Sequence, residues 1–577
     1  MGDGWAVVLA LGAAAGAIVA RPMPLWVAAA LAAAALVVRL PLLLCAAAAI
    51  AASTMGARAW AGVDHPPALG RLDAVVTLVS DPQPVDAALR VDIRYEHKRV
   101  EGWARGPAAA ALRTMAAGER VHLRGRLGPV PPAARTRLAV RHVAARLSIT
   151  SVGAHTDGNV PSRVANALRR SLVRGAASLP RDERALFTGL VLGDDREQSP
   201  ATGEDFRAAG LSHLLAVSGQ NVAFALAAGW PLLRLLHLRA RFFAALGVLA
   251  LFGVMTRWEP SVLRAEAMAA VGLFAYTVGR PASTLRLLAL AVTGLIVVDP
   301  MLVRSVGFLL SVGACVGIAL LAPPLLERLP GPRPVAAAAA VTLAAQVGVA
   351  PVLAPVFGGV PVAAVPANLL AIGAAGVVMT WGMTAGLVAG VVPPRVAAAI
   401  HAPTHVLVAW IAGVAHWAAR LPLSRLSLLG VVVAAVLVAV ALARPRLRIA
   451  TAVALAVLAL LPLRLATRPV PGRAVAGGPH LWRTGRATVL VADGAARPND
   501  VLAGLRAAGV THLDAVVMER GSGPAKALDD VLDRYRPRVI LSAPGTRTHV
   551  GALTVTVLEH GRATVEGPWP PRPPSTS

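Results

Sequence analysis

From about residue 218 to residue 463 the chain is a succession of apolar stretches separated by short turns that carry Arg or Pro. No other feature narrows the possible folds as much. Ten stretches lie near 219–234, 242–256, 260–279, 285–298, 305–322, 335–350, 366–389, 396–418, 427–443 and 448–463. Each approaches the roughly 20 residues with which a helix crosses a bilayer. Hydrocarbon offers the backbone no water to bond, so such stretches must be helices packed together. Composition agrees, with 56% hydrophobic and 15% charged residues, where a soluble domain carries roughly 25% charged. A disordered chain, a collagen-like fibre and an ordinary soluble enzyme are excluded.

Changes of hydropathy divide the rest. Residues 1–60 read as an N-terminal anchor of two or three spans, retained because no basic segment precedes the apolar text. Residues 70–152 switch to short alternating segments, Asp73–Val79, Leu89–Tyr95, Arg120–Leu127 and Leu138–Ile149, with turn pairs such as Asp81-Pro82 between them. That pattern predicts a small β-barrel or sandwich. Residues 160–465 form the main transmembrane domain, opening with amphipathic helices. Residues 475–566 alternate strand and helix text as an α/β unit does, and the Pro-rich 567–577 reads as a disordered tail. The expected fold class is a polytopic α-helical membrane protein of about 12–13 spans with two soluble insertions.

Positive charge is plentiful: 56 Lys+Arg against 30 Asp+Glu, a net of +26, and only Lys98 and Lys526 are lysines. The β block alone carries 14 basic and 7 acidic residues. In the membrane domain arginine marks topology. The turns 234–241, 280–286 and 328–333 carry more arginine than the turns at Arg257 and Arg304, which puts the former in the cytoplasm and both soluble domains outside. Cys45 and Cys315 sit in apolar runs and read as small hydrophobes.

The polar text that matters is brief. Ser212, His213, Ser218, Gln220 and Asn221 form a cluster at the mouth of the first core span. Such clusters line a cavity or cement helix packing. Arg264 and Glu266 are ionisable groups inside a span, where charge normally faces a bundle interior or a water-filled cavity. They stand two apart and so do not share a helical face. Arg264 suits a phosphate, and Glu266 a partner on another helix. Gln346, Pro351, Pro355, Pro366 and Asn368 bracket an interrupted segment of the sort that lines transport paths. His401 and His405 stand four apart, but Pro403 lies between them, and His416, eleven residues beyond His405, is roughly 16 Å further along a helix and cannot join them at one metal.

These residues carry a resemblance. "GLVLGDD" (Gly189–Asp195) with "HLLAVSGQNVA" (His213–Ala223), "SVLRAEAMA" (Ser261–Ala269), Asp299–Ile318 and Thr342–Ala371 occur in order, and together they resemble the ComEC family, the membrane channel of bacterial DNA uptake in natural competence. The resemblance implies an OB-like β domain at 70–152 and a competence transmembrane domain at 160–465. It implies passage of single-stranded DNA through the plasma membrane, with His213, Ser218, Gln220, Asn221, Arg264, Glu266, Gln346 and Asn368 as path candidates. On the β domain, Arg94, Lys98, Arg99, Arg124 and Arg126 are the DNA-binding candidates. Implied partners are the bilayer, a DNA receptor, a cytosolic helicase-like motor and single-strand-binding proteins.

The C-terminal block resembles the family's metallo-β-lactamase-like domain, but truncated. Glu519 and Arg520 stand where that domain's Thr-His metal motif would be, and Asp493, His512, Asp514 and His549 lack ligand spacing. The expectation is a remnant with no metal, no cofactor and no catalytic residue. The competing readings are a secondary transporter for a small solute and a membrane-tethered nuclease.

Overall fold

The computed structural model describes the chain apart from residues 1, 86, 216, 218, 281, 422, 424, 467–469, 476–477, 485–486, 493–497, 511, 520–527, 559–561 and 568–577, and apart from the side chains of 445, 448, 461–466 and 471. The anchor is three helices, α1 (Asp3–Val19), α2 (Leu25–Val38) and α3 (Pro41–Asp64). Small residues let α1 and α3 touch through their backbones: Gly12 faces the Cys45 carbonyl, Gly16 that of Ala49, and Gly56 that of Ala17. The register advances in the same sense on both, so α1 and α3 run parallel, and the returning α2 packs on α3. Ser53 and Thr54 of α3 bond the backbone of Arg21 and Met23 and fix the first turn. At one end Asp3 pairs with Arg286, and at the other Asp64 pairs with Arg135.

The β domain holds β1 (Gly70–Leu78), β2 (Gln83–Val85), β3 (Ala88–Tyr95), β4 (Lys98–Ala104), β5 (Arg120–Gly128) and β6 (Val143–Thr156), with α4 (Gly106–Leu112) and α5 (Arg135–Ala139). The strand order is β1-β5-β6-β4-β3-β2. A second pairing, Thr77↔Arg94 and Leu78↔Ile93, joins β1 to β3 and returns the circuit on itself. Only β4–β6 is parallel. Alternate residues point inward, including Leu72, Val76, Val91, Ile93, Val100, Leu123 and Leu147. The sequence reading had no separate β4, because its hairpin turns on Glu96 and His97, both with positive φ and neither a glycine. It also extended the last strand back to Leu138, where helix-forming residues make α5 instead.

The membrane domain opens with α6 (Val160–Gly175), α7 (Arg181–Leu192), α8 (Pro200–Ala208) and the short α9 (Ser212–Leu215). Ten longer helices follow: α10 (Gly219–Leu233), α11 (Leu238–Met255), α12 (Pro260–Thr277), α13 (Thr284–Val298), α14 (Val306–Arg328), α15 (Arg333–Phe357), α16 (Ala364–Ala389), α17 (Pro394–Arg420), α18 (Leu428–Ala443) and α19 (Arg448–Ala466). Each coincides with an expected apolar stretch. Among the described residues six helices, α3, α11, α14, α15, α16 and α17, are long and apolar enough to cross a membrane. Others, such as α13 and α18, are apolar but shorter. Serines cap the entrances: Ser199, Ser283, Ser305 and Ser427 accept from the first turns of α8, α13, α14 and α18. Gly313 and Gly317 of α14 meet Gly348 and Ala344 of α15 backbone to backbone. The largest buried cluster joins Phe187 of α7 and Phe206 of α8 to α16 and α17. A ribbon of β7 (Val360–Pro361) and β8 (Arg425–Leu426) crosses two turns.

The C-terminal block is a sheet ordered β13-β12-β11-β10-β9. These are β9 (Val470–Ala474), β10 (His480–Thr484), β11 (Ala487–Ala492), β12 (Ala515–Met518) and β13 (Val539–Leu541). Helices α20 (Pro498–Ala507) and α21 (Asp529–Tyr535) pack on one face, and β14 (Arg547–Val550), β15 (Leu553–Val557) and β16 (Ala563–Glu566) on the other. The parallel β11–β12–β13 run is the α/β unit that the sequence predicts.

Candidate functional site

The described charges converge most densely where the β domain meets the membrane domain. Asp81, at the turn after β1, lies 3.0 Å from Arg169 of α6 and receives Nε and Nη2 of Arg257 at 3.0 and 2.8 Å. The Ala117 N–H donates to the same carboxylate at 2.8 Å. Arg169 continues to Asp194 at 2.8 Å and donates to the carbonyls of Met255 and Leu192 at the ends of α11 and α7. Asn166 accepts from Arg257 and donates to the Ala117 carbonyl. Burial by itself would raise the Asp81 pKa, but Arg169 and Arg257 hold the carboxyl well below the usual range. Glu259, at the start of α12, has the opposite fate. Burial and the nearby Asp195 charge push it up to about 7.

Sequence reasoning missed this centre. Asp81 read as a turn residue and Arg257 as a topology marker, and the partners stand 88 and 176 residues apart. The Gly-Asp-Asp text, quoted for its resemblance, was the one signal that touched it. Both arginine-poor turns meet the β domain, since His142 also lies 2.9 Å from Asp299 beside Arg304.

The polar junction lies next to this centre. Asn221 is fully buried at the start of α10 and donates to the Leu190 carbonyl of α7 at 3.0 Å. Gln220 is exposed, with its amide toward Gly376 of α16, and His213 is exposed on α9. Ser218 lies outside the described residues. Ser261 Oγ donates to the Val217 carbonyl at 2.6 Å and ties α12 to the approach to α10. Arg264 and Glu266 part company, as their spacing requires. Arg264 turns to α14, donating Nε to Ser311 Oγ and Nη1 to Cys315 Sγ, both at 2.8 Å, while Met268 Sδ lies 3.3 Å from Nη1. Among the described residues it has no carboxylate partner. Glu266 faces Gly253 and Trp258, and its buried Oε1 lacks a hydrogen-bond partner.

Two further path candidates show the same lack. Asn368 on α16 donates to the Ala364 carbonyl at 2.8 Å, but its Oδ1 is buried without a donor. Gln346 on α15 keeps its Oε1 buried and unpaired. Buried amide oxygens without donors are expensive, and a path that admits water or ligand supplies what they lack. The histidines separate: His401 meets Thr404, His405 Glu183 and His416 Asp205.

On the β domain, Arg94 is exposed next to the β3–β4 hairpin, with Lys98 and Arg99 on the following strand. Arg124 and Arg126 point outward from β5 beside His122, Arg120 and Arg71, with Asp73 in their midst at 3.0 Å from Arg124. The five candidates therefore occupy two patches. The domain's two aromatic residues both have contacts within it. Tyr95 packs on the core, and Trp103 bonds Glu101 at 2.9 Å under the Arg146 guanidinium. Burial would raise the Glu101 pKa, but the Trp103 hydrogen bond and the charges of Arg141 and Arg146 lower it.

The C-terminal block docks on α8, where Arg506 bonds Glu204 at 2.8 Å and Arg534 pairs with Asp205. Of its candidate ligands, His512 lies 3.6 Å from Asp514, which caps the Thr488 N–H, while His549 meets Thr554 and Glu519 accepts from the Ala563 N–H. Asp493 and Arg520 lie outside the described residues. Among the described residues no group of three or more His, Cys, Asp or Glu gathers as metal ligands do.

A family model described as Competence protein matches residues 190–463. Comparison with curated proteins and with solved structures returns no match.

Proposed function

We propose, from the match of residues 190–463 to the competence-protein family model, that the chain is a multi-pass channel of the plasma membrane that passes single-stranded DNA into the cytoplasm during natural transformation. The observation that carries the reading is the family match, because it spans the junction at α10, the buried Arg264 and the interrupted α15–α16 segment. The path runs along His213, Ser218, Gln220, Asn221, Arg264, Glu266, Gln346 and Asn368. Unpaired amide oxygens at Gln346 and Asn368 support it, since a water-filled route would satisfy them.

The β domain receives the DNA. Its five-strand circuit, with one parallel pair and a helix between β4 and β5, supports an OB-like barrel. Arg94, Lys98, Arg99, Arg124 and Arg126 would hold the backbone by charge rather than by stacking. Both soluble domains lie outside on this reading, and the C-terminal block is a metallo-β-lactamase-like remnant without metal or catalysis. Energy comes from a cytosolic helicase-like motor, with a DNA receptor and single-strand-binding proteins at the two ends. The test is uptake of labelled DNA by a competent host lacking this gene. Uptake should be restored by the intact chain, and unchanged uptake in the deletion strain would refute the reading.

A further inference from the structure

The anchor helices and α13 leave a groove between them. It holds about 410 Å³ and is walled by Ala28, Ala29 and Ala32 of α2 and by Ala47, Ala48 and Ala51 of α3, with α1 and α13 behind. Six short side chains on two packed helices leave the space unfilled. The wall offers water nothing, because the Thr293 hydroxyl on α13 already donates to the Ala289 carbonyl at 2.8 Å. An apolar cavity of this kind stays dry, and left empty it forfeits dispersion contacts of the atoms that line it. Its volume is close to that of one fatty acyl chain. Along α3 it runs from Leu44 to Ala51, about 10 Å at 1.5 Å per residue. It therefore fits within one leaflet of a hydrocarbon core about 30 Å thick.

One end of the groove is charged. Ala51 stands two residues before Ser53, whose hydroxyl bonds the backbone of Arg21, and the wall residue Leu25 begins α2 just beyond that turn. Arg58 follows Ala51 by seven residues, two turns along the same face of α3. Both arginines are exposed. The Arg58 guanidinium lies 4.0 Å from Met55 Sδ, and among the described residues neither arginine has a carboxylate partner.

We propose that this groove binds one acyl chain of an anionic phospholipid, in the leaflet on the β-domain side, with the lipid phosphate held between Arg21 and Arg58. The groove takes the chain and the two guanidiniums take the charge. The bound chain braces α2 against α13, the helix that ends at Asp299 and its contact with His142 of the β domain. The site shares no residue with the proposed path and does not depend on what the membrane domain conducts.

The test uses the full chain purified in detergent and titrated with phosphatidylglycerol or with zwitterionic phosphatidylcholine, bound lipid being counted by native mass spectrometry. Wild-type protein should retain phosphatidylglycerol more tightly. R21A/R58A should weaken phosphatidylglycerol roughly tenfold, the scale of one hydrogen bond to a charged group, and leave phosphatidylcholine unchanged. Both side chains are exposed, so this variant should melt like the wild type in lipid-free detergent. A32F lays a ring in the groove and should weaken both lipids; the arginine variant carries the test if A32F does not fold. Glycerol phosphate, a headgroup without chains, should not compete. Competition by it would overturn the proposal by giving the arginines to free phosphate. Equal phosphatidylglycerol affinity in wild type and R21A/R58A would overturn it too, as would lipid binding by A32F that matches the wild type. A lipid-free wild type that dimerises, beside an A32F that does not, would hand the groove to a second copy of the chain and sink the lipid assignment.

Discussion

Arg257 grips Asp81 side-on, Nε to Oδ2 at 3.0 Å and Nη2 to Oδ1 at 2.8 Å, across 176 residues of chain. Asp81 is buried and Arg257 largely so; the carboxylate is shared with Arg169, and the pair joins the β domain to a turn of the membrane domain. A charge taken out of water is tolerable only while its partners remain.

Asp81→Ala should therefore cost about 3–5 kcal/mol, because it leaves Arg257 with only the neutral Asn166 and Val254 carbonyl, and Arg169 sharing Asp194 with Arg196. Thermal unfolding of the full chain in detergent reads the loss. The double variant D81A/R257A should fall well short of the sum of the single effects. Additive losses would show that the two groups do not act as a pair.

Glu259 predicts a pH effect of known sign. Its folded pKa is raised to about 7 from the ordinary 4.5 by burial first and Asp195 second. The folded state holds its proton longer than the unfolded chain does, so stability is full below about 4.5 and falls as pH rises toward 7. Glu259→Gln should remove that slope and stabilise the protein at pH 8 by about 1–2 kcal/mol. Melting temperatures at pH 5 and pH 8 decide it, and an unchanged slope in the variant would count against the assignment.

The parallel packing of α1 and α3 separates two glycines of similar text. A methyl on Gly16 would run into the Ala49 carbonyl, while one on Gly12 would meet the Cys45 carbonyl at an ordinary 3.4 Å. Gly16→Ala should lose about 1–3 kcal/mol by overpacking, and Gly12→Ala far less. Equal losses would mean that α1 and α3 are not in this register.

If the β5 face holds DNA, R124A/R126A should bind single strands more weakly, with a smaller salt dependence. Each lost phosphate contact lowers the slope of log K against log salt by about 0.7. Loss of affinity without a change of slope would indicate a folding defect rather than a lost contact.

Much of this architecture is legible in the text. Hydropathy locates all ten core helices, because each must satisfy its backbone within itself whatever its neighbours are. The spacing of Arg264 and Glu266 already says that they point apart. What eludes the sequence is partnership across distance. Nothing near Asp81 announces Arg169 or Arg257, since tertiary packing alone brings them together, and nothing near Arg264 announces Cys315, which reads as a small hydrophobe.

Arg169 stands ten residues into α6, and a helix turns about 100° per residue. One residue added to or removed from the connection between Thr156 and α6 would swing that guanidinium away from Asp81 unless the helix slid to compensate. The β domain is thus not a module that can be transplanted at its visible borders. A chimera that swaps it between relatives must carry Asn166, Arg169 and the Arg257 turn with it, so the smallest heritable unit is discontinuous in the gene although it is one contact in space.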